Sequence, residues 1–191
     1  MTTIIGFVDK ENKCTYMGCD SRMSIGDIHI KDTQSKILNL SNKLLIGGSG
    51  SFRDLNIIES SYNILELVEN NDITRKFLLM KFIPTIFEEF TKYRAMNTND
   101  NNYDSQYLIA VKDKLFYIDA YGTLCESKDL YFSIGSGSYF SFGSLYTLKD
   151  NKEMSVIDKI TSSLKTSAYF DRNSGGPFYI YNTKDFKKIK K

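Results

Sequence analysis

Histidine occurs once in these 191 residues, cysteine three times and proline twice, and the scarcity of the first two closes off whole classes of chemistry. His29 stands in the run Asp27-Ile28-His29-Ile30 with no acid or serine at an informative spacing, so a histidine-based triad is excluded. Cys14, Cys19 and Cys125 are odd in number and fit no metal-ligand spacing. On one strand Cys14 and Cys19 would face opposite sides, which reads as reduced structural thiols. No metal and no cofactor is expected. No apolar run approaches the ~18 residues of a membrane span, and the N-terminus lacks the basic-then-apolar design of a secretion signal. The expectation is a cytoplasmic protein without membrane contact. Twenty-five basic against twenty-three acidic residues leave a net charge of +2, which makes no case for nucleic acid as a partner. The one cluster of like charge, Lys187-Lys188-Ile189-Lys190-Lys191, reads as a solvated end. No Pro/Gly/Ser-rich linker interrupts a chain that is 41% hydrophobic, so residues 1–191 are expected to form a single domain.

What the sequence does have begins at its start. Met1-Thr2-Thr3-Ile4-Ile5-Gly6-Phe7-Val8 is an apolar β-type run that opens at the first residue. Methionine before a small residue is the usual substrate for initiator-methionine removal, so the mature chain is expected to begin at Thr2, with an α-amine and a hydroxyl on one residue. The amine titrates near ~7.7–8.0 and the hydroxyl is a weak nucleophile until a base takes its proton; together they form a recognised catalytic unit. Alone, Thr2 is explained more simply as the first residue of a terminal edge strand. Its company points further. A second strand, Lys13 to Gly18, runs into Cys19-Asp20-Ser21-Arg22; Lys36 follows Asp20 by sixteen residues, and Gly50 follows Lys36 by fourteen.

Beyond Gly50 the period changes. Phe52, Leu55, Ile58, Tyr62, Leu65 and Val68 recur at three and four residues, which predicts one helix from Ser51 to about Glu69, its free N–H groups beside Gly50 where an anion can bind. A second helix is predicted from Asp72 or Thr74 to Tyr93, kinked or divided at Pro84. A polar loop, Asn97 to Asn102, leads to a hairpin of Tyr107–Val111 and Leu115–Ala120. A strand over Leu130–Ile134, helices over Ser138–Leu148 and Ser155–Ala168, and a strand over Pro177–Asn182 complete the chain. Strands, two helices, strands, two helices and a strand is the order of an α+β protein with helices outside antiparallel sheets. By themselves, Gly135-Ser136-Gly137-Ser138 is a strand-to-helix turn and Asp171 to Gly176 a helix C-cap with a left-handed glycine.

In order and spacing, Thr2-Thr3, Asp20-Ser21-Arg22, Lys36, Gly50, Gly135-Ser136-Gly137-Ser138 and Asp171-x-x-Ser174-Gly175-Gly176 resemble the β-subunits of the proteasome and the HslV peptidase, threonine proteases of the N-terminal-nucleophile hydrolase superfamily. The turn between the first two strands is two residues longer than in proteasome β-subunits. The Asp-x-x-Ser-Gly-Gly element is nearer the proteasome type, the short chain nearer HslV. The resemblance implies a four-layer αββα sandwich of two antiparallel sheets flanked by helices.

It also implies a mechanism. Thr2 Oγ would attack the peptide carbonyl with its own α-amine as base; Lys36, held by Asp20, would stabilise developing negative charge; Gly50 N–H would supply the oxyanion hole. Ser136, Asp171 and Ser174 would orient the amine and its water. Met23, Gln34, Gly48 and Phe52 would line the pocket for the residue before the cut bond, with Gly48 leaving room for a large apolar side chain, and Ser24 and Gly26 would border the substrate. Lys36→Ala is expected to abolish cleavage with little loss of stability. The implied partners are further copies of the chain in stacked hexameric or heptameric rings, an ATP-dependent unfoldase and polypeptide substrates. Two alternatives from other classes are a non-catalytic ring subunit and a small-molecule amidase of the same superfamily. The outer apolar stripes, Phe77 to Phe90 and Ile157 to Leu164, are available to pack on the core or between subunits.

Overall fold

The computed structural model describes residues 2–25, 28–31, 35–93 and 105–191. The apolar, β-branched start of the chain forms β1 (Thr3–Asp9), which turns back through Lys13, at a positive φ of 52°, into β2 (Cys14–Cys19). Register runs from Ile4 opposite Cys19 to Asp9 opposite Cys14. β3 (Arg22–Ile25) and β4 (Ile28–Lys31) pair with each other as a separate two-stranded ribbon. β5 (Ile37–Leu40), β6 (Leu44–Ser49), β7 (Gln106–Val111), β8 (Lys114–Ile118) and β9 (Leu124–Glu126) make one antiparallel sheet in chain order. β10 (Tyr131–Gly135), β11 (Tyr179–Asn182) and β12 (Ile189–Lys190) join β1 and β2 in the other, ordered β10-β1-β2-β11-β12.

Because side chains alternate along each strand, each sheet has one face for its sister sheet and one for helices. Ile4, Val8, Met17 and Cys19 meet Ile37, Leu45, Leu108, Ala110 and Leu115 between the sheets. The alternate residues Ile5, Phe7 and Ile180 pack on α5 (Ser138–Leu148) and α6 (Val156–Phe170) through Leu145, Ile160 and Leu164. On the far face Leu38, Ile46, Ile109 and Phe116 lie under α1 (Phe52–Ser60), α2 (Tyr62–Glu69) and α4 (Ile83–Tyr93). The result is the expected αββα sandwich, and the stripes Phe77 to Phe90 and Ile157 to Leu164 pack on the chain's own core, Ile157 at its partly buried margin. Among the described residues no helix is long and apolar enough to cross a membrane.

Four local expectations are corrected. The single helix over 51–69 is broken at Ser61, whose backbone is extended (φ −74°, ψ 117°) and whose hydroxyl donates to the buried Glu89 carboxylate at 2.6 Å while its oxygen caps α2 by accepting from Ile64 N–H. The 74–93 helix starts at the cap Thr74 with a single turn, α3 (Arg75–Phe77), and widens into a π-helical segment, Leu78–Phe82, directly before Pro84. There Ile83 N–H bonds the carbonyl five residues back, at Leu78. β8 ends at Ile118, before Ala120, because the Asp119 carboxylate takes the N–H groups of Tyr121 and Thr123 and closes the turn. The basic tail is not a free end: Ile189 and Lys190 pair with Ile180 and Tyr179, and Lys188 lies over the Tyr179 ring at 3.8 Å.

Candidate active site

Strand alternation sends neighbouring residues of the chain start to opposite faces. Continued one residue beyond β1, that alternation puts Thr2 on the inter-sheet side with Ile4, while Thr3 falls on the helix side with Ile5; both are buried. Two carboxylates approach this strand end from different parts of the chain.

The first is Asp20, at the end of β2. Its Oδ1 accepts Thr3 N–H at 2.9 Å and Lys36 Nζ at 2.8 Å; its Oδ2 accepts Arg22 N–H and Gly175 N–H, both at 3.1 Å. Lys36 Nζ also donates to Arg22 carbonyl at 2.6 Å, and the Lys36 carbonyl accepts Gly48 N–H. Asp20 is 0% and Lys36 2% exposed, so this is a buried pair rather than the strand-surface bridge that residue type alone suggests. Opposite charge and four donors together offset the desolvation of the carboxylate.

The second is Asp171, the residue that ends α6. Ser136 and Ser174 hydroxyls donate to its Oδ2 at 2.6 and 2.7 Å, and Asn173 N–H donates to Oδ1 at 3.0 Å. Burial raises the Asp171 carboxyl, but these three hydrogen bonds outweigh it and hold the group below its ordinary 3.8. Ser136 Oγ in turn accepts Thr2 N–H at 3.3 Å, and Ser174 Oγ lies 2.7 Å from Thr3 Oγ1. Thr2, Asp20, Lys36, Ser136, Asp171 and Ser174 are thus brought together from five segments. The left-handed glycine expected within 171–176 is found instead in the other loop, at Gly135 (φ 96°). Gly135 pairs with Thr3 in the ladder, and any side chain on it would collide with the Thr2 carbonyl oxygen.

Gly50 follows β6 at φ 128°, a backbone region open to glycine, and is exposed directly ahead of α1. Of the pocket candidates, Met23 and Ser24 lie on β3 opposite Ile30 and His29, and Phe52 opens α1 half-buried. Gly26 and Gln34 lie outside the described residues, as does Met1. Gly48 faces α1, and the room its missing side chain leaves is taken by Leu55, 2.9 Å from where a methyl group would stand, and by the Tyr107 ring at 3.2 Å. Gly48 alone therefore opens no deep apolar pocket.

Sequence reasoning missed Thr3, Gly135 and the Arg22 side chain. Arg22 donates through Nη1 to the Arg172 carbonyl at 2.7 Å and lies against Gly175, tying β3 to the Asp171–Gly176 loop. Strand alternation was the available signal for Thr3. Cys19, next to Asp20, is no alternative nucleophile: burial first, then the charge of Asp20, push its thiol up to about 12. Among the described residues no group of His, Cys, Asp and Glu is placed to hold a metal ion.

Two antiparallel sheets between helical layers, with the chain start held between two carboxylate clusters, define the N-terminal-nucleophile hydrolase fold. The family model described as proteasome subunit matches residues 2–182, and the chain belongs to that family. It is 24% identical over 166 residues to the ATP-dependent protease subunit HslV of Campylobacter fetus subsp. fetus (strain 82-40), covering 86% of each. In fold it is similar to Thiobacillus denitrificans BPH in complex with epoxomicin (TM-score 0.79, 14% identity, 97% of this chain and 100% of that one). It is also similar to eukaryotic HslV from Trypanosoma brucei (TM-score 0.72, 18% identity, 95% and 98%).

Proposed function

We propose that the chain is the peptidase subunit of a self-compartmentalising protease and that Thr2, freed by removal of Met1, is its nucleophile. The observation that supports this most is that two separately built clusters hold the strand end: Asp20, paired with Lys36, bonds the Thr3 backbone, and Ser136, which with Ser174 is held by Asp171, bonds Thr2 N–H. In the mature chain the atom that now donates to Ser136 becomes an amine.

Thr2 Oγ attacks the scissile carbonyl carbon while that amine, directly or through a water, takes the hydroxyl proton. The Lys36 ammonium favours the developing oxyanion of the nucleophile, and Asp20 with the Arg22 carbonyl fixes the ammonium in place. Gly50 N–H donates to the carbonyl oxygen as it becomes negative, a contribution of about 3–4 kcal/mol per donor. The amine then gives its proton to the leaving nitrogen, the C–N bond breaks and an ester on Thr2 remains. Water, deprotonated by the same amine, hydrolyses the ester. Ser136, Asp171 and Ser174 orient amine and water, and Met23, Ser24, Gly26, Gln34, Gly48 and Phe52 border the substrate.

A hydroxyl nucleophile of this generality needs confinement. The Campylobacter relative is named as a subunit of an ATP-dependent protease. By extension, this chain forms stacked homo-oligomeric rings of six or seven subunits and receives unfolded polypeptide from an ATP-driven unfoldase. Tagging the protein with a threonine-directed electrophile while sizing its native assembly tests both halves. A labelled large ring is the expected result; an unlabelled ring identifies a scaffold subunit, and a labelled small oligomer an amidase.

A further inference from the structure

We propose that the Thr3 hydroxyl is a positioning element of the site, acting through Ser174 to fix the strand end that carries Thr2; this rests on Thr2 being the nucleophile. The direction of the hydrogen bonds carries the assignment. Ser136 and Ser174 each have one hydroxyl hydrogen, and both lie at 2.6–2.7 Å from Asp171 Oδ2, an acceptor only. Each serine oxygen is therefore left to accept. Ser136 accepts from Thr2 N–H, and Ser174 accepts from Thr3 Oγ1–H at 2.7 Å. Two parallel arms, Thr2 to Ser136 and Thr3 to Ser174, end on one carboxylate oxygen.

The second arm does what the first cannot. Once Met1 is gone, residue 2 is a chain end, and chain ends fray unless tied down. Thr3 is held at three atoms: its N–H on Asp20 Oδ1 at 2.9 Å, its carbonyl on Asp20 N–H at 3.2 Å, and its hydroxyl on Ser174. The first two fix the strand in its own plane. The third pulls on the helix-facing side and sets the rotation of the strand end, hence where the Thr2 hydroxyl points on the opposite face. Thr3 is 0% exposed, and the loop makes room for it with Gly137, where a methyl group would collide with Thr3 Oγ1 and stand 3.1 Å from Ser174 Oγ.

Thr3→Val keeps the shape and removes the donor; Thr3→Ser keeps the donor. With peptide substrate, Thr3→Val is expected to lower kcat about tenfold with KM unchanged, the scale of one buried hydrogen bond, and Thr3→Ser to restore it to within about twofold. Because Thr3 acts through Ser174, Thr3→Val combined with Ser174→Ala is expected to be no slower than Ser174→Ala alone. Gly137→Ala, which crowds the Thr3 hydroxyl without deleting it, carries the same kcat loss and serves if Thr3→Val does not fold. Thr3→Val with wild-type kcat, or losses at Thr3 and Ser174 that multiply, overturns the proposal. A wild-type protein that neither cleaves peptides nor takes a threonine-directed electrophile rejects the Thr2 reading itself, a separate outcome.

Discussion

Replacing Lys36 by alanine asks how much of the site is also the fold. Its ammonium lies 2.8 Å from a fully buried Asp20 carboxylate, and removing one partner of a buried pair typically costs about 3–5 kcal/mol because an uncompensated charge stays behind. Three N–H donors remain on Asp20, from Thr3, Arg22 and Gly175, at 2.9–3.1 Å, so the lower end, about 3 kcal/mol, is expected. For a chain of this size about 1 kcal/mol moves Tm by about 2–4 °C, which makes the loss about 6–12 °C. This departs from the expectation of little loss, which belongs to a solvent-facing pair. In activity, kcat should fall at least about a hundredfold, the scale of one electrostatic stabiliser. Lys36→Met, which keeps the stem and loses the charge, should match the loss of activity. The assay is thermal unfolding at fixed protein concentration, since assembly adds stability, with peptide hydrolysis measured well below both midpoints. A Lys36→Ala protein whose Tm stays within about 2 °C of wild type refutes the buried-pair account; one that remains active refutes the electrostatic role.

Asp171 gives a pH signature. Its folded pKa is depressed below 3.8, so its contribution is fully present above that value and is lost as pH falls through the lower folded pKa. Denaturant unfolding between about pH 2 and 5 should therefore show a shallower acid loss in Asp171→Asn than in wild type, and equal slopes would contradict the hydrogen-bonded carboxylate. In native protein a thiol reagent at about pH 8 should modify exposed Cys125 quickly and leave buried Cys14 and Cys19 until unfolding, Cys19 being held at about 12; rapid labelling of Cys19 would count against the packing beneath Asp20. Gly135→Ala should cost both stability and nearly all activity, because φ of 96° and contact with the Thr2 carbonyl each exclude a side chain. Retained activity there would mean that the strand end tolerates displacement.

The fold was legible in the sequence wherever periodicity decided it. The helix over Ser138–Leu148 has its expected bounds, because a glycine-rich turn precedes it and polar residues follow. The Asp20 and Lys36 partnership was legible only through the resemblance to proteasome β-subunits, because a separation of sixteen residues does not by itself say that two strand ends meet. What escaped was decided by contacts distant in sequence. Ser61 breaks a helical stripe because Glu89, twenty-eight residues on, takes its hydroxyl. Two apolar or aliphatic-stemmed residues of the basic tail, Ile189 and Lys190, become strand because β11 offers them an open edge. The space at Gly48 is set by Leu55 and Tyr107, which no reading of position 48 alone contains. The burial of Lys36 escaped for the same reason: charge predicts exposure, and only the four donors around Asp20 overturn that prediction.

The claim that Thr2 is an N-terminal nucleophile is tested most directly by mass spectrometry on active protein before and after reaction with an electrophilic peptide epoxyketone. The expected result is an intact mass lacking Met1, complete loss of peptidase activity on reaction, and one adduct per chain located in the peptide that begins at Thr2. Full activity in protein that quantitatively retains Met1, or inactivation with the adduct on any other residue, would contradict it.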